Sequence, residues 1–422
     1  MMMNTIAALV LLFVGFSAVL DAAPPDDFSR NAAQPDAAQP NPAKPAHHQL
    51  AAEYSAAKLG IACLVMIDGK VAFEQYDNGG MAGWPHELAS GTKSFTGVVA
   101  AIAADDRLLD FDEPVADTIV EWRTDSRKNA ITVRQLLSLT AGLHTAVGIV
   151  PTFADAIAKP ANEDPGADFS YGATAYQVFG ELLRRKLEPK NVTVEQYYRT
   201  KLFEPLEMGV ARWRTGRDGN PHLPSGISMS ARDWAKFGQL VIQQGKWQGQ
   251  QIVSWKNLSQ CFVGSEANPG YGLTWWLAKP VPMELVGRER VVRRGTDLYR
   301  SKFDAPSDLV LAAGAGNQRL YVCPSLKLVV VRQAVGIRQA LTGHDIGYSD
   351  VEFLARLLFG LGADGQVAAT GDQLEIVDAT AEARFLRRLQ GRADKNGDGE
   401  LSANEVRSLS ESLTRLEALF GR

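Results

Sequence analysis

ELASGTKSFTGVVAA, residues 87–101, sets a serine and a lysine three residues apart at the head of an apolar run. In a helix that begins near Ser90, residues three apart share a face, so the Lys93 amine can reach the Ser90 hydroxyl. A serine hydroxyl is a weak nucleophile until a base takes its proton. A lysine can act as that base only when burial or a nearby cation leaves part of it neutral. A serine in a first turn also sits among unpaired N–H groups, and its own N–H can help hold an oxyanion. Phe95, Val98, Val99, Ala101 and Ile102 make the rest of the helix apolar almost all round, which predicts burial and a fixed geometry for the pair. The S-x-x-K spacing alone does not decide. Ser55 and Lys58 match it as well and read as a chance match on a surface helix, and an N-cap serine beside a solvated lysine has the same pattern.

The 422 residues around this stretch suffice for one large domain or two ordinary ones. A net charge of -4 without a long basic run gives no reason to expect a nucleic acid or an anionic membrane surface as partner. With 38 Gly and 20 Pro, the composition suits a loop-rich enzyme better than a bundle or coiled coil. Ile6 to Leu20, followed by small Ala22 and Ala23, has the length of a signal peptide, so residues 1–22 are read as an export signal and the protein as periplasmic or extracellular. Met1 to Thr5 carries no Lys or Arg, which keeps an uncleaved anchor as the alternative, and no cysteine follows, which argues against a lipoprotein. Residues 23–48 are rich in Ala, Pro, Asp, Gln and Asn and read as a flexible tether, with folding expected from about Leu50. Cys63, Cys261 and Cys323 are too few and too scattered for a disulfide framework and read as buried thiols.

Leu59 to Ile67, the turn Asp68-Gly69 and then Val71 to Tyr76 predict a β-hairpin. Asp308 to Ala313, Arg319 to Val322 and Leu328 to Arg332 read as later strands, and Val351 to Phe359 as a closing helix. Between them Val133 to Ser138, Ala173 to Leu187, Val194 to Phe203 and Ala231 to Gln244 read as helices. Strands at both ends predict one sheet completed by distant parts of the chain, with a helical insertion at about 100–224 and a cleft between the two.

From about Leu50 to Gly360 the chain resembles the serine hydrolase family of class C β-lactamases, D-alanyl-D-alanine peptidases, related esterases and 6-aminohexanoate-oligomer hydrolases. The likeness is carried by ELASGTKSFTG (87–97), ITVRQLLSLTAGL (131–143), PGADFSYGATAYQVFG (165–180), LFEPLEM (202–208) and SGISMSARDWAKFGQLVIQQGKWQG (225–249), in that order. The resemblance implies an α/β fold of the α+β type: a β-lactamase-like antiparallel sheet flanked by helices, with an inserted all-helical subdomain. It also implies Ser90 as nucleophile, with Lys93 and Tyr171 sharing the proton transfers. Ala173 stands where the family's second motif has asparagine, and AAGAGNQ (312–318) stands where it has Lys-Thr-Gly. Both departures weaken a β-lactam or peptide substrate. The glycine-rich run is instead similar to that of the esterase and 6-aminohexanoate-hydrolase branch, which implies an oxyanion site at Gly314, Ala315 and Gly316, with the Ala315 N–H partnering that of Ser90. Arg293, Arg294 and Arg319 are the candidates for a substitute cation. G-x-S-x-G is absent, and a triad through His144 or His344 has no motif behind it.

The tail carries a separate signal. Residues 394–405, DKNGDGELSANE, follow the EF-hand loop, with oxygens at positions 1, 3 and 5, Gly at 6, an apolar residue at 8 and Glu at 12. Asp394, Asn396, Asp398, the Glu400 carbonyl, Ser402 and Glu405 would supply hard oxygens for Ca²⁺. Ala381 to Gln390 and Glu405 to Phe420 would flank the loop as helices, after a linker at 363–379. A single loop can dimerise, dock on the hydrolase region or bind calcium weakly, and a structural role is expected. The expectation is an exported serine hydrolase acting on a small ester or amide without a catalytic cofactor. The alternatives are a true β-lactamase or D-alanyl-D-alanine peptidase, and a catalytically silent ligand-binding protein.

Overall fold

The computed structural model describes residues 39–278, 296–300, 303–343, 346–366, 368, 370, 374, 380–409 and 411. The apolar run Ile6 to Leu20, Arg293, Arg294, His344, most of the 363–379 linker and the end of the last expected helix lie outside the described residues.

The strands in chain order are β1 (Gly60–Ile67), β2 (Lys70–Gln75), β3 (His86–Glu87), β4 (Val210–Trp213), β5 (Ile227–Met229), β6 (Lys246–Trp247), β7 (Gln250–Gln251), β8 (Trp276–Leu277), β9 (Val310–Gly314), β10 (Gln318–Cys323) and β11 (Leu328–Ala334). Asp68 and Gly69 join β1 to β2 at φ of 49° and 77°, the pair of left-handed positions that a two-residue hairpin turn requires. β1 also runs antiparallel to β11, from Gly60 opposite Ala334 to Ile67 opposite Leu328. The main sheet has the order β2-β1-β11-β10-β9-β8, so both ends of the hydrolase region build it, while β3-β5-β4 and β6-β7 form smaller sheets.

The apolar runs of β1 and β11 follow from cover on both faces. Helix α1 (Pro45–Ala57) and the helix Asp350–Phe359 pack together on one side, and the helix Ala231–Ile242 packs on the other. Strand alternation divides the side chains between them. Val329 lies against Gly238, where an added Cβ would stand 2.6 Å from its Cγ1, while Arg332 reaches Ser55 of α1. Helix α2 (Lys93–Asp105) is buried along nearly its whole length. In it Phe95 meets Phe237 at 4.3 Å and Phe203 edge-on at 5.4 Å between ring centroids.

Three expectations need correction. The tether does not extend to residue 48: α1 starts at Pro45, and His47 and His48 are buried. Ser55 and Lys58 are buried too rather than on a surface helix, and the Ser55 hydroxyl accepts from Arg332 at 3.1 Å. The stretch 100–224 is not all-helical, because β4 lies within it and pairs with β5.

The C-terminal segment forms a helix Thr380–Ala393, a loop and helical residues 403–409. It docks on the hydrolase region. Leu401 donates its N–H to Ala82 O at 3.1 Å, and Trp84, Ala393, Leu401 and Leu409 form a small apolar cluster. Arg232 pairs with Glu400 at 3.4 Å, and Gln390 donates to Gly79 O.

Candidate active site

Ser90 lies in a 3-10 turn, Ala89–Thr92, and the α-helix starts only at Lys93, three residues later than expected. Ala89, just before the serine, has φ of 47°, a left-handed conformation that costs a residue with a Cβ about 1 kcal/mol or more. The turn is held in place by packing: a Cβ on Gly91 would stand 2.8 Å from Trp234 Cζ2.

Lys93 donates to Ser90 Oγ at 3.0 Å and to Pro224 O at 2.9 Å. Its side chain is buried, and burial brings the amine down to about 7 from the ordinary 10.5. The Tyr171 ring centroid is 4.9 Å from Lys93 Nζ, and that of Tyr176 5.7 Å. Around Tyr171 stand Tyr271, edge-on at 6.3 Å, and Trp276 at 5.6 Å. Tyr176 and Tyr271 share a hydroxyl hydrogen bond of 2.7 Å. Lys93, at the start of α2, thus stands between Ser90 of the 3-10 turn and Tyr171 of the loop before the helix Thr174–Leu187. Thr132 and Gln135 cap the helix Val133–Leu137 reciprocally within ITVRQLL.

The run 312–318 is the end of β9, a turn and the start of β10. A Cβ on Gly314 would stand 2.1 Å from Leu88 O and 3.1 Å from Gly91 N, so only glycine lets β9 lie this close to the serine turn. That contact places the turn beginning at Ala315 beside Ser90. Gly316, at φ of 72°, closes the turn against Ile337.

Arg319 does not take the place of the missing lysine. It is buried and paired with Asp350 at 2.7 Å, behind the turn. His144 is exposed and meets Asn162 at 3.2 Å. Sequence reasoning missed Pro224, whose carbonyl is the second acceptor of Lys93; a backbone acceptor leaves no residue-type signature. Tyr271 and Trp276, both buried in the core, surround Tyr171. A surface groove of about 740 Å³ is lined by Ile149, Thr152, Asp155, Arg217 and His222 among others and does not include Ser90, Lys93 or Tyr171.

In the C-terminal loop Asp394 accepts from Gly397 N at 2.7 Å and Gly399 N at 3.0 Å. Asn396 and Asp398 accept from the N–H groups of Asp398 and Glu400. Glu405 accepts from Lys395 N at 2.7 Å and from Ser402 N and Oγ at 2.9 and 2.6 Å, and these bonds bring its carboxyl down to about 2. Among the described residues, no three His, Cys, Asp or Glu side chains gather as a metal site. The donors are all hard oxygens, the type that suits Ca²⁺.

No curated protein matches the chain. Among solved structures, a penicillin-binding protein homologue from Caulobacter crescentus superposes with TM-score 0.53 at 16% identity, over 69% of this chain and 92% of its own. EstCE1, a hydrolase with promiscuous acyltransferase activity, gives 0.51 at 16% identity, over 71% and 100%. An octameric penicillin-binding protein homologue from Pyrococcus abyssi gives 0.51 at 18%, over 75% and 77%. At these identities the likeness is one of fold. The Beta-lactamase family profile matches residues 47–334, so the chain belongs to the Beta-lactamase family, within the serine hydrolase superfamily.

Proposed function

We propose that this protein hydrolyses esters or amides through an acyl-enzyme on Ser90, with esterase or amidase chemistry rather than true β-lactamase activity. The observation that carries this reading is a buried lysine, brought down to about 7, at 3.0 Å from a serine hydroxyl. In the first step Ser90 Oγ bonds to the substrate carbonyl carbon as its proton passes to Lys93 or Tyr171. The N–H groups of Ser90 and Ala315, flanked by Gly314 and Gly316, receive the oxyanion. Collapse breaks the bond to the leaving group, which takes the proton. Water then repeats the sequence and releases the acid. Aromatic Tyr271 and Trp276 supply an apolar wall beside Tyr171.

Intact mass after a fluorophosphonate probe, together with turnover of short p-nitrophenyl esters, tests this reading. A single adduct and ester turnover, both lost in Ser90→Ala, are expected. A folded protein that shows neither would favour the ligand-binding alternative. The family match keeps β-lactam hydrolysis as the second reading, against which stand Ala173 and the buried Arg319. Nitrocefin turnover faster than ester turnover would favour it.

The C-terminal loop is proposed as a structural Ca²⁺ site using Asp394, Asn396, Asp398, the Glu400 carbonyl, Ser402 and Glu405, with the hydrolase region as its docking partner. Residues 1–22 are proposed as an export signal, and N-terminal sequencing of the exported protein tests that.

A further inference from the structure

The carbonyls of the turn after β9 are all held by side chains. Arg319 Nη1 donates to Gly314 O at 3.4 Å and to Gln318 O at 3.1 Å. Gln318 Nε2 donates to Ala315 O at 3.4 Å and Gly316 O at 3.3 Å, while its Oε1 accepts from Ala334 N at 3.0 Å and ties the turn to β11. Arg332 Nη1 donates to Asn317 O at 2.7 Å. Five consecutive carbonyls, 314 to 318, are thus bonded to three buried side chains.

Arg319 is fixed in turn by Asp350, with Nε–Oδ1 at 2.7 Å and Nη2–Oδ2 at 3.2 Å. Asp350 is 2% exposed and opens its helix, where the unpaired N–H groups favour a carboxylate; its own N–H donates to Asp297 at 2.9 Å. Tyr321 donates to the same carboxylate. Buried ion pairs contribute little net stability compared with well-packed apolar residues, so a different gain has to account for this one. The gain here is direction. In a trans peptide the C=O and the following N–H point opposite ways, so a guanidinium bonded to Gly314 O sets where the Ala315 N–H points. A donor already aimed at the developing oxyanion needs no reorganisation during reaction.

We propose that Arg319, held by Asp350, is a positioning residue that aims the Ala315 N–H at the oxyanion, a role that rests on the acyl-enzyme reading above. Lysine is a compact point charge and cannot bridge two carbonyls and a carboxylate together, so Arg319→Lys does not rescue.

The test compares wild type, Arg319→Lys, the double variant Arg319→Met/Asp350→Leu and Ser90→Ala. It measures thermal melting, ester kcat and KM, and affinity for an alkyl boronic acid that mimics the tetrahedral adduct. Both Arg319 variants are expected to lose about 100-fold in kcat, with KM within threefold and boronate affinity falling in step with kcat. The double variant removes both charges of the pair and strands neither, so it reports even if Arg319→Lys fails to fold. A folded Arg319 variant with kcat within threefold of wild type overturns the role, as does one whose KM worsens while boronate affinity holds. A wild type without a Ser90 adduct overturns the acyl-enzyme reading and this role with it. A normal wild-type adduct formed equally fast in the Arg319 variants overturns the positioning role alone.

Discussion

Lys93 makes the sharpest prediction, because one burial governs both rate and stability. An amine at about 7 instead of 10.5 is half neutral at pH 7, where an ordinary lysine would be neutral in only about one molecule in 3,000. The rate of fluorophosphonate labelling of Ser90, read by intact mass from pH 5 to 9, is expected to climb about tenfold per unit below pH 6. It should level off above pH 8, with its inflection near 7. The same shift also makes stability depend on pH, in the same direction. The unfolded lysine keeps its proton to about 10.5 and the folded one releases it near 7, so between these values the unfolded state binds more protons and stability rises with pH. Below 7 the full cost of burying the ammonium applies, on the order of 5 kcal/mol. Lys93→Met is therefore expected to melt above wild type at pH 6, by a margin that narrows toward pH 9, while labelling is lost. A labelling rate flat between pH 6 and 8, or still climbing tenfold per unit at pH 9, would refute the reasoning. A variant less stable than wild type at pH 6 would do so too.

Gly314→Ala sets a Cβ at 2.1 Å from Leu88 O, so β9 must back away from the serine turn, and ester kcat should fall about 100-fold in a protein that still melts cooperatively. Phe95→Ala removes a ring packed between Phe203 and Phe237, and urea unfolding should show a loss of about 3–5 kcal/mol, with less than 1 kcal/mol counting against the described packing. Calcium at about 100 times its dissociation constant should add about 2.7 kcal/mol to stability and change the emission of Trp84, which packs beside Leu401. Asp394→Ala with Glu405→Gln should remove both effects, and a wild type insensitive to chelator would end the calcium proposal.

The sheet is legible in the sequence because β1, β10 and β11 carry apolar runs (61–67, 320–323 and 328–331) that suit strands covered on both faces, and the Asp68-Gly69 turn needs two residues tolerant of positive φ. The meeting of Ser90 with Lys93 is legible because it depends on a short local spacing. What escapes is set by tertiary contact. The 3-10 turn at Ala89–Thr92 owes its shape to Trp234 and β9 rather than to its own residues. α1 reaches back into the Ala/Pro-rich stretch because Pro45 is welcome in a first helical turn and the two histidines find burial. β4 is too short for its alternation to stand out among helices. Arg319 reads as a possible substrate cation until Asp350, more than thirty positions further on in no recognisable motif, is seen to hold it.

The pairing of β1 with β11 also sets the order of events during synthesis. Residues 60–67 wait for partners made roughly 260–275 residues later, about 10–50 s at ordinary elongation rates of ~5–20 residues per second. Until then the β1–β2 hairpin presents IACLVMI (61–67) along an open edge, the kind of strand that captures a neighbouring nascent chain. Such long-range closure folds slowly, so the hazard of the young chain is association rather than weak final stability. Refolding yield should therefore drop as protein concentration rises, while the melting temperature of the recovered fraction stays constant.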